Sequence, residues 1–294
     1  MAPQAPRRLV YLGSPEVAVA PLRALVDAGW DVALVVSQPD RKRGRGGRLR
    51  PTPVKAAAVE LGLPVTDRVD DVLGAGADLG VVVAFGRLVR PHVLAELAMV
   101  NLHFSLLPRW RGAAPVERAI LAGDDETGVC LMRLEEGLDT GPVYACERVG
   151  IGPEETADEL RSRLVALGTE LLLATLAAGL DVPAPQEGEP TYAAKLDAEE
   201  LRLDWSRPAV ELHRVVRVGG AWTTFRGRRL KVHRARLAPA GAEAPGPGAL
   251  EATVVGTGQG ALELVEVQPE GRAAQPAPAW LHGARPAPGE RLGT

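Results

Sequence analysis

The sequence is poor in several features, and each shortage excludes something. It holds two cysteines in 294 residues. Cys130 and Cys146 lie in apolar contexts, so both are expected to remain reduced thiols. No Cys/His spacing suits a metal site. No apolar stretch is long enough to span a membrane. The N-terminal run Met1–Arg8 lacks the apolar core of a signal peptide, which makes the cytoplasm the expected compartment. No G-x-G-x-x-G follows the first apolar run and no acid closes the second, so NAD is not expected. There is no internal repeat. The formal net charge is −3, which argues against a general nucleic-acid binder.

The distribution of charge says more than its sum. Arg41, Lys42, Arg43, Arg45, Arg48, Arg50 and Lys55 form one basic cluster with no acid inside it. Arg207, Arg214, Arg217, Arg226, Arg228, Arg229, Lys231, Arg234 and Arg236 form a second, with Glu211 against it. Two local basic surfaces on a mildly acidic chain suit a specific polyanion.

Leu9–Leu12 reads as an apolar strand ended by Gly13, and Pro21–Ala28 as a helix stopped by Gly29. Val32–Val36 is a continuous apolar run, as expected of a strand buried on both faces. A basic, Gly-rich loop, Gln38–Thr52, follows it. Helices are then expected at Val54–Leu61, Pro91–Leu97 and Ala114–Ala122, and strands at Leu79–Ala84, Val100–His103 and Val129–Leu134. Thr156-Ala-Asp-Glu159 is a capping box that opens a long helix running to about Leu180. Alternating strands and helices predict an α/β domain with a parallel sheet and right-handed crossovers, with ligands beyond the carboxyl ends of the strands. Asn101 and His103 fall at such an end.

After Leu180 the composition changes. Asp181–Pro190 reads as a linker. Pro208–Val216 is expected as a short helix, followed by short strands at Trp222–Phe225, Arg229–Val232, Ala252–Val255 and Leu262–Val267, with a loop at Ala238–Pro247. This pattern suits a small β-barrel or sandwich. The expected organisation is a first domain over residues 1–182, a linker over 183–203 and a second domain over 204–294.

Chemistry concentrates in Asn101–Pro115 and in Gly137-Leu-Asp-Thr-Gly141. Acyl transfer to an amine develops negative charge on a carbonyl oxygen. The Asn101 amide can donate a hydrogen bond to that oxygen without titrating. His103 can donate to it as well, or shuttle a proton. Asp139 can orient the imidazole and stabilise its charge, or relay the proton of the attacking ammonium. The same residue types also suit a core histidine, a strand-end amide and a turn aspartate. Ser105–Pro108 can lay its backbone against a flat heterocycle or simply pack as a loop. In the Arg41–Arg50 loop, Gly44, Gly46 and Gly47 give mobility and the arginines phosphate affinity, while a solvated surface loop is the plainer reading.

Asn101–Pro115 together with Gly137–Gly141 resembles the signature of the folate-dependent formyltransferases. Gln38-Pro-Asp-Arg41 with Gly44-Arg-Gly46, Val82-Val-Ala-Phe-Gly86, Thr191-Tyr-Ala-Ala-Lys195 and Asp204-Trp205 support it in order, and the resemblance covers nearly the whole chain. It implies a Rossmann-like N-terminal formyl-transfer domain and a C-terminal OB-like β-barrel. It also implies transfer of the formyl group of 10-formyltetrahydrofolate to the α-amino group of initiator methionyl-tRNA in translation initiation, by a monomer and without a metal. By motif, Asn101, His103 and Asp139 match the catalytic trio, with Asn101 and His103 on the oxyanion and Asp139 supporting His103. Ser105, Leu106, Leu107 and Pro108, with Phe85 and Gly86, match the folate-binding segments. Arg41, Lys42, Arg43, Arg45 and Arg48 match a loop that engages the tRNA acceptor end, and the C-terminal basic cluster would contact the tRNA backbone. Ser14 stands where the family often has Thr, Phe104 where Gly is frequent, and Gly219-Gly220-Ala221-Trp222 where a Pro-containing segment is usual. The alternatives are an amino-sugar-nucleotide formyltransferase, a formyl-folate hydrolase and a non-catalytic RNA-binding protein. The basic C-terminal cluster and the intact trio weigh against them.

Overall fold

The computed structural model of the chain describes residues 3, 5–43, 47–239 and 244–294. Gly44, Arg45 and Gly46 of the basic loop, and Ala240–Glu243 of the Ala/Pro/Gly loop, lie outside them. The chain divides into two compact units. One comprises Met1–Val116, Glu126–Gly150 and Leu160–Ala194, and the other Glu117–Asp125, Ile151–Glu159 and Lys195–Thr294. The expected linker is thus divided between the units at 194/195.

The elements of the first part of the chain are β1 (Arg8–Gly13), α1 (Val19–Asp27), β2 (Asp31–Val36), β3 (Arg41–Arg43), β4 (Arg48–Arg50), α2 (Pro53–Glu60) and β5 (Val65–Thr66). They continue with β6 (Leu79–Val83), α3 (Pro91–Glu96), β7 (Met99–His103), β8 (Arg111–Gly112), α4 (Pro115–Ala122), β9 (Glu126–Arg133), β10 (Val143–Gly150), α5 (Ala157–Ala178) and β11 (Tyr192–Ala193). The first unit is built on a seven-stranded sheet in the order β10-β9-β7-β6-β1-β2-β5. β7, β6, β1, β2 and β5 run parallel. β6 and β7 are buried along their whole length, which is why β6 reads as an unbroken apolar run. One core cluster gathers Val10, Leu12, Val36, Val82, Phe85 and Met99. From β1 the chain builds outward to β2 and β5, then returns to lay β6 and β7 on the other flank. Such a reversal opens a crevice at the carboxyl ends of the central strands.

Three expectations change here. The sheet is not wholly parallel: β9 is antiparallel to β7, and β10, absent from the expected strands, is antiparallel to β9. That edge strand sets Cys146 directly opposite Cys130, with Cα atoms 4.2 Å apart, and the two are joined in a disulfide of 2.07 Å rather than standing as reduced thiols. The basic stretch Gln38–Thr52 is not all loop, because β3 and β4 pair in an antiparallel ribbon with Arg41 opposite Arg50.

Helix starts follow their capping chemistry. Thr52 Oγ1 accepts from the Lys55 backbone N–H at 3.1 Å ahead of Pro53, the first residue of α2. At α5, Thr156 Oγ1 accepts from the Glu159 N–H at 3.3 Å and Glu159 Oε2 accepts from the Thr156 N–H at 2.9 Å.

The second unit carries α6 (Ala209–Val218), β12 (Trp222–Phe225), β13 (Arg228–Leu237), β14 (Leu250–Glu251), β15 (Val254–Gly256), β16 (Ala261–Pro269), β17 (Gln275–Pro276) and α7 (Ala277–Ala284). Its sheet is antiparallel, in the order β12-β13-β16-β15-β14 with β17 on β16. β13 runs well past the expected Arg229–Val232, because register shifts around Arg234 let it follow β16 further. The expected strand Ala252–Val255 begins later, at Val254, since Ala252 takes a left-handed turn conformation (φ 48°). The core includes Trp205, Phe225 and Trp280, the last two meeting edge to face at 5.2 Å. Along β13, Leu230, Val232 and Ala235 turn inward while Arg229, Lys231, Arg234 and Arg236 stay exposed.

Candidate active site

The end of β7 places two polar side chains in an otherwise apolar layer. Asn101 lies between Val82 of β6 and Met132 of β9, and His103 lies beside Cys130. Both are buried. Residues two apart on a strand share a face and are separated by about 7 Å, enough for both to reach one small group.

The imidazole of His103 is held from both sides. Nε2 lies 3.0 Å from the Trp110 carbonyl, and Nδ1 lies 3.6 Å from Asp139 Oδ2. An acceptor therefore faces each ring nitrogen, and either N–H can be met. The Trp110 carbonyl occupies the direction in which Nε2 would otherwise donate to a substrate oxygen. Asp139 sits on the connection between β9 and β10, in a left-handed conformation (φ 49°). Its Oδ2 accepts from the Gly112 N–H at 2.8 Å. Gly112 itself has φ 119°, and a Cβ there would stand 2.9 Å from the Ala193 carbonyl, so no other residue can offer its N–H from this place.

β11 and Thr191 just before it explain why the 108–114 segment holds its course. Thr191 Oγ1 accepts from the Trp110 N–H at 2.9 Å, the Thr191 carbonyl accepts from the Arg111 N–H at 2.9 Å, and the Ala193 carbonyl accepts from the N–H groups of Ala113 and Ala114 at 2.9 and 3.1 Å. Trp110, Gly112 and Thr191 were not among the expected site residues. Their contributions run through backbone groups or through pairing with a distant segment, which residue types do not reveal. The signals they had were only those of their segments, Asn101–Pro115 for Trp110 and Gly112 and Thr191–Lys195 for Thr191.

The expected folate segments lie at the neighbouring strand ends. Ser105 is fully buried, with Oγ donating to the Arg109 carbonyl at 2.6 Å, while Leu106, Leu107 and Pro108 are half-buried. Phe104 is buried. The ring of Phe85 belongs to the core cluster, so this residue can present only its backbone. Its carbonyl accepts from Ser14 Oγ at 3.3 Å and from Gln38 Nε2 at 2.9 Å, and Gln38 Oε1 accepts from Arg41 at 2.6 Å. A chain of hydrogen bonds thus links the Phe85–Gly86 turn to the base of the basic ribbon.

The ribbon brings Arg41 and Arg50, both exposed, opposite each other. Lys42, Arg43 and Arg48 belong to it by backbone pairing. Lys55 does not join this surface as a spare charge, because Nζ lies 2.7 Å from Asp40 Oδ1. The C-terminal cluster is also more balanced than its sequence. Arg207 pairs with Glu211, Arg226 with Glu290 and Arg228 with Glu270, and Arg217 donates to the carbonyls of Gly152 and Glu155. Glu290 is held down to about 2 by its hydrogen bonds from Arg226. Arg229 instead stacks on Trp222, 4.0 Å from the ring centroid. Among the described residues no cluster of three or more His, Cys, Asp or Glu could hold a metal ion, and no helix is long and apolar enough to cross a membrane.

The family described as formyl transferase matches residues 7–176, and its C-terminal domain matches residues 195–285. The chain belongs to the formyl transferase family. One formyl transferase relative, the methionyl-tRNA formyltransferase of Roseobacter denitrificans, is 47% identical over 94% of this chain and 96% of its own. Among solved structures, the N-formyltransferase from Helicobacter canadensis, in complex with folinic acid and dTDP-3-aminofucose, superposes with a TM-score of 0.67 at 15% identity, covering 88% of this chain and 98% of its own. HypX from Aquifex aeolicus, in complex with tetrahydrofolic acid, gives a TM-score of 0.66 at 16% identity, over 94% of this chain and 47% of its own. At these identities the two structures speak for the formyl transferase fold alone.

Proposed function

We propose that this chain transfers the formyl group of 10-formyltetrahydrofolate to the α-amino group of initiator methionyl-tRNA. The observation that carries the reading is the pairing of buried His103, beside Asn101 at the end of β7, with the half-buried Asp139, in a chain 47% identical to a methionyl-tRNA formyltransferase over 94% of its length. Asn101, His103 and Asp139 are the catalytic groups. The substrate amine attacks the formyl carbon, the carbonyl electrons move onto oxygen, and the Asn101 amide donates to that oxyanion. Collapse of the intermediate breaks the bond from the formyl carbon to the folate nitrogen. The amine loses a proton on the way to the amide. His103, with Nδ1 turned to Asp139 and Nε2 to the Trp110 carbonyl, is placed to take that proton, hold it beside the carboxylate and return it to the folate nitrogen as that nitrogen leaves. Of the two roles left open for the imidazole, the engaged Nε2 supports the shuttle over the oxyanion donor.

The residues present fit a folate donor. The half-buried Leu106, Leu107 and Pro108 offer an apolar wall to a flat ring, next to the fully buried Ser105. Gly86 would contribute through its backbone, and Phe85 by holding that turn. For the tRNA, Arg41 and Arg50 face one another across the ribbon, a like-charge pairing that costs stability until an anion arrives. Lys42, Arg43, Arg45 and Arg48 belong to the same proposed contact. The exposed row Arg229, Lys231, Arg234 and Arg236 on β13 would follow the tRNA backbone. The finer descriptions belong to the same reading: a Rossmann-like catalytic domain over residues 1–182, a linker over 183–203, an OB-like second domain over 204–294, and a monomer working in the cytoplasm.

The amino-sugar-nucleotide reading draws on the Helicobacter canadensis structure. The basic row on β13 favours the tRNA, since a sugar nucleotide offers few phosphates to it. Offering the purified protein both acceptors with 10-formyltetrahydrofolate separates the readings. Formyl transfer to initiator methionyl-tRNA, with a KM that rises steeply with salt as phosphate contacts release counterions, is the expected result. Transfer to the amino-sugar nucleotide alone, or a KM indifferent to salt, contradicts it.

A further inference from the structure

Gln186 lies in the stretch that reads as linker, and no expectation attached to it. Its side chain makes four hydrogen bonds within the first unit. Oε1 accepts from Arg111 Nε at 3.1 Å and from Nη2 at 2.6 Å. Nε2 donates to the Asp139 carbonyl at 2.8 Å and to the Gly141 carbonyl at 2.7 Å. A primary amide has two N–H groups, and both are spent on the loop that carries the Asp139 carboxylate. That loop needs holding. Asp139 has a left-handed φ of 49°, which a non-glycine residue keeps only where its surroundings enforce it. Gly141 is pressed so closely on β9 that a Cβ would stand 1.9 Å from the Arg133 carbonyl.

The other half of the amide acts on the facing segment. Arg111 precedes Gly112, whose N–H holds Asp139 Oδ2. One side chain therefore joins the two segments that meet at the carboxylate. We propose that Gln186 is a positioning residue for Asp139, setting the distance and direction of Oδ2 from His103 Nδ1 without touching a reacting atom. The inference rests on the reading of Asp139 as the partner of His103.

The test compares Gln186→Met, which keeps the length of the side chain and removes all four bonds, with Arg111→Met, which leaves both carbonyl bonds in place. The first readout needs no substrate: the ring ¹⁵N resonances of His103, one of five histidines, assigned with a His103→Gln control. Gln186→Met should move the Nδ1 resonance toward its position in Asp139→Asn, and Arg111→Met, which loses only the link to the facing segment, should move it clearly less. The second readout is formyl transfer, where Gln186→Met should lower kcat about tenfold or more while each KM stays within about twofold. Gln186→Glu, which keeps the acceptor for Arg111 but loses both donors, should give the same displacement, and it stands in if the Met variant does not fold. A wild-type Nδ1 resonance in the Gln186 variants, or an equal displacement in Arg111→Met, overturns the proposal. Failure of the wild type to transfer formyl groups would instead overturn the function and leave the resonance comparison intact.

Discussion

At the scale of single residues, the site is a set of side chains whose directions are dictated by backbone groups. His103 is aimed by the Trp110 carbonyl and Asp139 by the Gly112 N–H. Gly112→Ala is the most economical disturbance of this arrangement. It adds a Cβ at 2.9 Å from the Ala193 carbonyl, at φ 119°. The substitution should cost about 1–3 kcal/mol in unfolding free energy, measured by urea denaturation, and should lower kcat as the N–H moves off Asp139 Oδ2. Asn101, His103 and Asp139 were legible in the sequence because their chemistry resides in the side chain. Trp110, Gly112 and Gln186 were not, because the first two act through a carbonyl and an N–H that every residue owns, and Gln186 acts across 47 positions of the chain.

At the scale of elements, legibility followed burial. β6 is free of polar side chains because both its faces are covered, and that continuous run announced it, while β7 is equally buried but carries Asn101 and His103. β10 is an edge strand with Cys146, Glu147 and Arg148 exposed, so its composition resembles a loop. Missing it also meant missing the partner that Cys130 finds there. The β3–β4 ribbon escaped notice for the same reason, since a basic stretch carries no apolar period. In the second unit, α6 buries His213 beside Glu154, with Nε2 and Oε2 3.3 Å apart. Burial pushes the imidazole below its ordinary range, Arg217 adds to this, and Glu154 opposes it. The folded protein therefore keeps His213 neutral where the unfolded chain binds a proton, so stability falls as pH drops through the unfolded value of about 6.5. The unfolding free energy from urea denaturation should decline between about pH 7 and pH 5.5 more steeply in the wild type than in His213→Gln, by up to about 1.4 kcal/mol per pH unit. Parallel declines would show that His213 is not the group responsible.

At the scale of the whole molecule, charge and chemistry are allotted to different places. The imidazole is buried at a strand end with the half-buried carboxylate against it, while Arg41 and Arg50 are exposed on the ribbon and Arg229, Lys231, Arg234 and Arg236 on β13. The net charge of −3 hid this division. Acids distant in sequence, Glu270 and Glu290, return to neutralise part of the second basic cluster and leave Arg229, Lys231, Arg234 and Arg236 as its exposed edge. In the proposed reaction the His103–Asp139 pair moves the proton of a formyl transfer. The most direct measurement is the rate of transfer from 10-formyltetrahydrofolate to initiator methionyl-tRNA by the wild type and by Asp139→Asn, which keeps an oxygen for the Gly112 N–H but loses the charge. The predicted result is turnover by the wild type and a kcat lower by about 100-fold or more in the variant, with the KM for folate little changed. Unimpaired turnover by Asp139→Asn would contradict it.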